Sequence, residues 1–447
     1  MNRDQIPKPP VIDILIKGGT LLTMDNALSI KENALIGILD GKILFAESIA
    51  DAKILSDLNA LDVINAENCL ILPGLINTHT HAPMVAFRGM ADDLSLSQWL
   101  NEHIFPAERQ YVHEDMVFHG AVLAMAEMIL SGTTTCADGY FLEDQVARAA
   151  EHMGMRAIAA EGFLDVEPPD DGMLRTYLRK AEKFIRPWID SPLVTPAIFC
   201  HSPYTCSART LQRLKEFANS NNLLYFIHVA ETKEEVTKIP NDHGTSSIRY
   251  LNRLGVLDEN TVAVHCVWVD TDDIRILFDR GVKVSHTPES NMKLASGIAP
   301  VVQMLKAGVT VGLGTDGPAG NNDHDMILEM STAAKLHKVA ELDPTALSDV
   351  TALWMATRGG AKTLGLDSLI GSIERGKLAD LILIDTRRPH LTPLYNPYSQ
   401  IVYSANGNDV ATTIINGKII MRDRYLINNL EPSLFNVKSI AEKIKGA

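Results

Sequence analysis

A barrel of eight parallel strands alternating with helices, carrying a small β-sandwich built from both chain ends, is the fold that this 447-residue sequence predicts. Two observations carry the expectation. Eight short apolar, β-branched runs recur through the middle of the chain, most of them separated by amphipathic helical stretches. The two ends read differently, as short strands joined by tight turns. A doubly wound sheet is the rival architecture, but it does not readily supply eight such units.

The elements follow in order. Near the start, "DILIKGGTLLTMD" and "ALIGILDGKILFAE" are strand-like, and Asp40-Gly41 between apolar runs is a hairpin signal. Near the end, "ADLILIDT" and "ATTIINGKIIMRD" match them, with Asn416-Gly417 at the turn. Residues 1–70 and 371–447 are therefore expected to form the two parts of the sandwich, and residues 71–370 the barrel. The eight barrel runs are "LILPGLINTHTH", "TTTCADGY", "MRAIAAEGF", "VTPAIFCHSP", "LLYFIHVAET", "TVAVHCVWV", "VKVSHTPES" and "VTVGLGTDG". A longer insertion, roughly residues 84–114, follows the first. Stretches such as "DMVFHGAVLAMAEMILSG" and "SARTLQRLKEFANSN" supply the helices.

Bulk properties narrow the function. The formal net charge of -14 repels phosphate backbones and argues against a nucleic-acid polymer as partner. No apolar run reaches the roughly 18 residues of a membrane span, and "MNRDQIPKPPVID" lacks the apolar core of a signal peptide. A cytoplasmic protein is expected, with a homo-oligomer allowed. The five cysteines form no C-x-x-C pair and are odd in number, so they read as buried, reduced side chains.

Barrel active sites form at the C-terminal ends of the strands. His79 and His81 end the first run, His201 the fourth, and His228 lies in the fifth with Glu231 after it. His265 lies in the sixth run, His286 in the seventh, and Asp316 ends the eighth. One such histidine alone would be an ordinary core or cap residue; six of the 14 at strand ends point to a shared centre. With a strand period of two, His79 and His81 face the same side. His228 and Asp316 would complete a nitrogen/oxygen site suited to one divalent metal ion, zinc first, with iron or manganese tolerated. Taken alone, H-x-H is a weak signal; the four residues together are a strong one. The fourth run ends "IFCHSP" without a lysine of the kind that, carbamylated, bridges two metals, so one ion is expected.

These segments resemble the amidohydrolase superfamily, and within it the 5-methylthioadenosine/S-adenosylhomocysteine deaminases. The likeness covers nearly the whole chain and includes "PGLINTHTHAPMVAFRG", "HSPYTCS", "HVAET", "SHTPESNMKLASG", "GTDG" and "GSIERGKLADLILID". The ligand motifs are superfamily-wide. "HVAET" and "SHTPESNMKLASG" narrow the likeness to the branch of nucleoside and guanine deaminases and triazine hydrolases. The resemblance implies metal binding by His79, His81, His228 and Asp316. It implies catalysis by Glu231, His265 and Asp316, with Asp316 also accepting a proton from the attacking water. Glu231 would protonate purine N1 and pass a proton to ammonia. Glu108 in "FPAE" matches a ribose-binding glutamate, His201 a purine-contacting histidine, and Trp99 an aromatic wall.

Each residue has a plainer reading. Glu231 would otherwise be a carboxylate at a helix N-terminus before "TKEEV", His265 a buried core histidine, Glu108 a solvated helix-end charge, Trp99 simple packing, and Asp316 a strand-end cap. His286 is expected at most to line the site. Relatives that accept S-adenosylhomocysteine can use arginines after the third strand. Here Glu161 stands at the first such place, with Arg175 further on. A carboxylate at 161 would repel the substrate's own, so methylthioadenosine or adenosine is the expected small-molecule nucleoside. Guanine deaminase or triazine chlorohydrolase activity is the alternative, and a metal-free scaffold a remote one.

Overall fold

The structure, a computed structural model, describes residues 11–50, 59–165 and 170–446. Its centre is an eight-stranded parallel sheet whose strands follow one another in chain order: β1 Leu75–Thr80, β2 Thr133–Tyr140, β3 Arg156–Phe163, β4 Val194–Cys200, β5 Tyr225–Val229, β6 Thr261–His265, β7 Lys283–His286 and β8 Val311–Leu313. The seam between β8 and β1 is closed by the Asp316 amide donating to His79 O (3.0 Å), Thr78 Oγ1 donating to Leu313 O (2.9 Å), and the Asn77 amide donating to Thr315 Oγ1 (2.8 Å). Ile76, Ala137, Ile158, Ala160, Ala197, Phe199, Phe226 and Val262 fill the barrel interior in one buried cluster.

The helices that matter for the site are α1 Phe105–Tyr111, α2 Glu114–Leu130, α3 Glu143–Met153, α4 Asp171–Ile185, α5 Pro288–Lys293, α6 Met326–Glu341 and α7 Glu431–Gly446. The last packs on α2, burying Val437 and Ile440.

Both chain ends form antiparallel-rich sheets outside the barrel. The strand Leu381–Asp385 pairs with Cys69–Pro73, joining the two ends directly. Both expected hairpins are present. Asp40-Gly41 (φ 51° and 76°) and Asn416-Gly417 (φ 50° and 71°) take the left-handed conformations that such turns require.

The apolar stretch that the sequence presents as one run is two strands in two sheets. Cys69–Pro73 belongs to the sandwich and β1 to the barrel, with Gly74 at the crossover. A Cβ at Gly74 would lie 2.1 Å from Thr134 Oγ1, so only glycine fits there. The stretch Gly312–Gly317, "GLGTDG", has the spacing of a dinucleotide-binding turn, yet no helix opens on it; Pro318 and a turn follow. Its glycines serve packing instead: a Cβ on Gly314 would meet His79 N at 2.8 Å.

A buried ion pair joins barrel to sandwich. Arg156, at the start of β3, donates from Nε to Asp380 Oδ2 (2.8 Å) and from Nη2 to Oδ1 (3.2 Å), and Asp380 Oδ1 also accepts from the Asn416 amide (2.6 Å). Arg156→Ala would strand a buried carboxylate and is expected to lower unfolding stability by about 3–5 kcal/mol. A denaturant titration checks this; a loss under about 1 kcal/mol would show that the pair does not join the two parts.

Candidate active site

Strand ends deliver the donors. A register shift in the β1–β2 pairing lies between Asn77 and Thr80. Ile76 belongs to the barrel interior, and His79, within the shifted stretch, and His81 after it face the metal-donor cluster; bulges commonly re-aim side chains in this way beside active sites. His79 Nε2 lies 3.1 Å from His228 Nε2 and 3.4 Å from Asp316 Oδ1, and His81 Nε2 lies 3.3 Å from Asp316 Oδ1. One donor atom from each of the four residues falls within 4.8 Å of all the others. The three rings stand mutually edge-on, at 86–90°.

This donor set fits a metal ion. Ligands about 2.0–2.1 Å from a zinc in tetrahedral array stand roughly 3.3 Å apart, close to the three donor pairs at 3.1–3.4 Å. The His81 Nδ1–Gly139 O contact (2.5 Å) places the Nδ1 proton and leaves the Nε2 lone pair for a ligand role. Ser290 Oγ, on α5, donates to Asp316 Oδ2 (2.7 Å), holding the other carboxylate oxygen.

The electrostatics agree. Burial pushes His79 down to about 4 and His228 well below the ordinary histidine value, so both are neutral. Burial works to raise Asp316, but hydrogen bonds from His79 and His81 outweigh it and hold the carboxyl well below the usual range. Burial likewise opposes charge on His81, yet Asp316 outweighs it and pushes the imidazole up to about 9, so a metal ion would take the place of the Nε2 proton facing Asp316. Asp316 is thus the anionic member of the donor set, beside the neutral imidazoles of His79 and His228.

A largely apolar cleft opens over these donors. His81, His228, His265 and Asp316 line it together with Glu231, His201, Glu108 and Trp99. Glu231 lies in the loop after β5, and burial raises its carboxyl to about 7. Its Oε2 is 3.8 Å from His265 Nε2. His265 Nδ1 lies 3.0 Å from Asn291 Oδ1 and 2.9 Å from Thr287 Oγ1. His265 (φ 73°) and Asp316 (φ 62°) both hold left-handed backbone that non-glycine residues rarely take, as functional positions often do. His201 Nδ1 is 2.9 Å from Thr205 Oγ1, and burial lowers its pKa to about 4. Trp99 opens a π-helical turn, Trp99–Ile104, that runs into α1, where Pro106 has no amide to donate. Glu108 sits on α1 and accepts from Tyr140 Oη (2.6 Å).

Three expectations change. His286 does not line the cleft. It ends β7 facing outward, with Nε2 3.0 Å from His337 Nε2 on α6, while its neighbour Ser285 bonds Thr78 (2.6 Å). Alternation along the strand puts the two on opposite faces. Glu161 also points away from the cleft: Oε1 pairs with Lys180 Nζ on α4 (2.6 Å) and Oε2 accepts from the Glu143 amide (3.1 Å). Its charge is spent there, so it gives no ground against S-adenosylhomocysteine. Arg175 is exposed on α4 and is not among the residues lining the cleft.

The sequence reading missed four supporting residues. Glu235 accepts from the Ala230 amide (2.7 Å) and the Glu231 amide (3.0 Å), so the helix-start role considered for Glu231 belongs to Glu235. Ser290 and Asn291 lie inside "SHTPESNMKLASG", a motif that could have pointed to them. Tyr140 ends the second apolar run, where any barrel residue merits attention.

An eight-stranded barrel with a His/His/His/Asp donor set and a buried acid in one cleft defines a metal-dependent barrel hydrolase. A sequence profile of the amidohydrolase family matches residues 70–420. The chain belongs to the amidohydrolase family. It is 45% identical over 434 residues to a 5-methylthioadenosine/S-adenosylhomocysteine deaminase of Syntrophobacter fumaroxidans, covering 97% of this chain and 98% of that one. It is 47% identical over 391 residues to a 5'-deoxyadenosine deaminase of Methanothermobacter thermautotrophicus, covering 87% and 90%. A crystal structure of an adenosine deaminase from Xanthomonas campestris with bound zinc matches with a TM-score of 0.94 at 34% identity, over 98% of this chain and all of that one. Among the described residues no helix is long and apolar enough to cross a membrane.

Proposed function

We propose that the protein hydrolytically deaminates an adenosine-type nucleoside, such as 5'-methylthioadenosine, 5'-deoxyadenosine or S-adenosylhomocysteine, releasing ammonia and the corresponding inosine. The observation that carries this reading is the presence of two carboxyl groups in one cleft: buried Glu231 beside the donor set, and Glu108 also lining it. The names of the relatives support it.

His79, His81, His228 and Asp316 would hold one divalent ion, for which zinc is our assignment on the three-nitrogen, one-oxygen set. Bound there, such an ion makes hydroxide available near neutral pH. Glu231, protonated below about 7, donates to purine N1 and leaves C6 open to attack. Asp316 takes the proton released by the attacking water. As the C6–N bond breaks, the Glu231 carboxylate relays the C6 hydroxyl proton to the departing amine, which leaves as ammonia, and the proton held by Asp316 then restores the Glu231 acid. His265 steadies the charge that develops on the new oxygen. His201 contacts the purine, Glu108 accepts from the ribose hydroxyls, and Trp99 walls the pocket.

Guanine or triazine hydrolysis would leave Glu108 without a diol to bind. Incubation with 5'-methylthioadenosine, adenosine, guanine and a chlorotriazine, followed by the ultraviolet shift and ammonia release, is expected to show turnover of the nucleosides. Turnover of guanine or triazine without any nucleoside would refute the proposal.

A further inference from the structure

We infer that Tyr140 positions Glu108 for ribose recognition: its hydroxyl holds one carboxylate oxygen so that the other is presented to the 2'- and 3'-hydroxyls. The inference rests on the nucleoside reading above and adds a residue that the sequence motifs do not mark.

Glu108 does not belong to the barrel. It sits on α1, a seven-residue helix within the insertion after β1. Among the described residues, two side-chain hydrogen bonds tie α1 to the rest of the protein. One runs from Tyr111 Oη to Lys443 O (3.4 Å), on α7 at the protein's outer surface. The other runs from Tyr140 Oη to Glu108 Oε1 (2.6 Å), at the cleft. The second is short, and it connects the carboxylate to the end of a barrel strand, β2.

Tyr140 is a firm anchor. It is the last residue of β2, only 5% exposed. Its amide donates to Glu143 Oε1 (2.8 Å), and the Glu143 amide donates in turn to Glu161 Oε2 (3.1 Å). Its ring lines the same cleft as Glu108. A glutamate has three rotatable side-chain bonds, and a diol needs the carboxylate in one plane. Holding Oε1 sets that plane and leaves Oε2 to accept. Burial raises the Glu108 carboxyl, and the hydrogen bond from Tyr140 works against that, towards the ionised form that is the better acceptor for hydroxyls.

The test compares Tyr140→Phe with wild type on adenosine and on 2',3'-dideoxyadenosine, which lacks both hydroxyls. With adenosine, KM is expected to rise about tenfold, the scale of one hydrogen bond to a charged group, with kcat within about twofold. With the dideoxy compound, kcat/KM should stay within about twofold of wild type. Glu108→Gln should show the same selectivity, and the double variant should lose no more on adenosine than Glu108→Gln alone. Equal losses on both substrates, no loss on adenosine, or additive losses in the double variant would overturn the assignment. Wild type inactive on both nucleosides would overturn the nucleoside reading itself, and the inference with it; that outcome is read before any variant is compared.

Discussion

Glu231→Gln is expected to retain the metal and the fold while losing about 10²–10⁴ in kcat, the range for a positioned general acid–base group. Glutamine fills the same space but cannot give a proton to N1 or to ammonia. The pH behaviour should change with it. Burial raises the Glu231 carboxyl to about 7, so the acid form prevails below that value and is lost above it. In wild type, kcat/KM should fall as pH rises through about 7; in the variant this limb should be absent. Stability should move the other way. The folded carboxyl titrates near 7 and an unfolded one near 4.5, so the folded state holds the proton more tightly. This group's contribution to stability therefore falls as pH rises across that window, by up to about 3 kcal/mol at 1.36 kcal/mol per unit. Glu231→Gln removes that penalty and should melt higher than wild type at pH 8. Thermal melts at pH 5 and pH 8, set beside rate profiles, decide the matter. A variant that keeps wild-type turnover would end the proton-shuttle role.

Stripping the metal is expected to lower turnover by on the order of 10³ or more, because several kcal/mol of charge stabilisation is withdrawn at once. Zinc added back should restore activity to wild type but not to His228→Ala, which lacks one of the four donors. Metal analysis should find about one ion per chain in wild type and far less in the variant. Melting temperature should rise with added zinc for wild type alone, since a ligand that binds only the folded state stabilises it. A fully active, metal-free protein would refute the donor-set assignment and revive the scaffold alternative.

Much of the site is legible in the sequence because its parts are local. His79 and His81 are two residues apart at the end of a strand, and each remaining donor lies in or at the end of its own apolar run. Strand count and strand ends suffice to bring such residues to one mouth. His286 shows the limit. It closes an apolar run just as His265 does, and only strand register decides that it turns outward to His337. Glu161 is a similar case. Its charge is read from the sequence, but the Lys180 that neutralises it lies on α4. The β1 run conceals both a change of sheet at Gly74 and a register shift between Asn77 and Thr80, since apolar residues suit either sheet.

The barrel, the metal donors and the acid after β5 were thus determined by sequence alone, because period-two strands and the polar residues that end them are local properties of the chain. Which strand-end residues face the cleft, which charges are already paired, and how Tyr140 on β2 holds Glu108 on α1 were decided only by the tertiary structure. Those outcomes depend on register and on contacts between elements that sequence spacing does not encode.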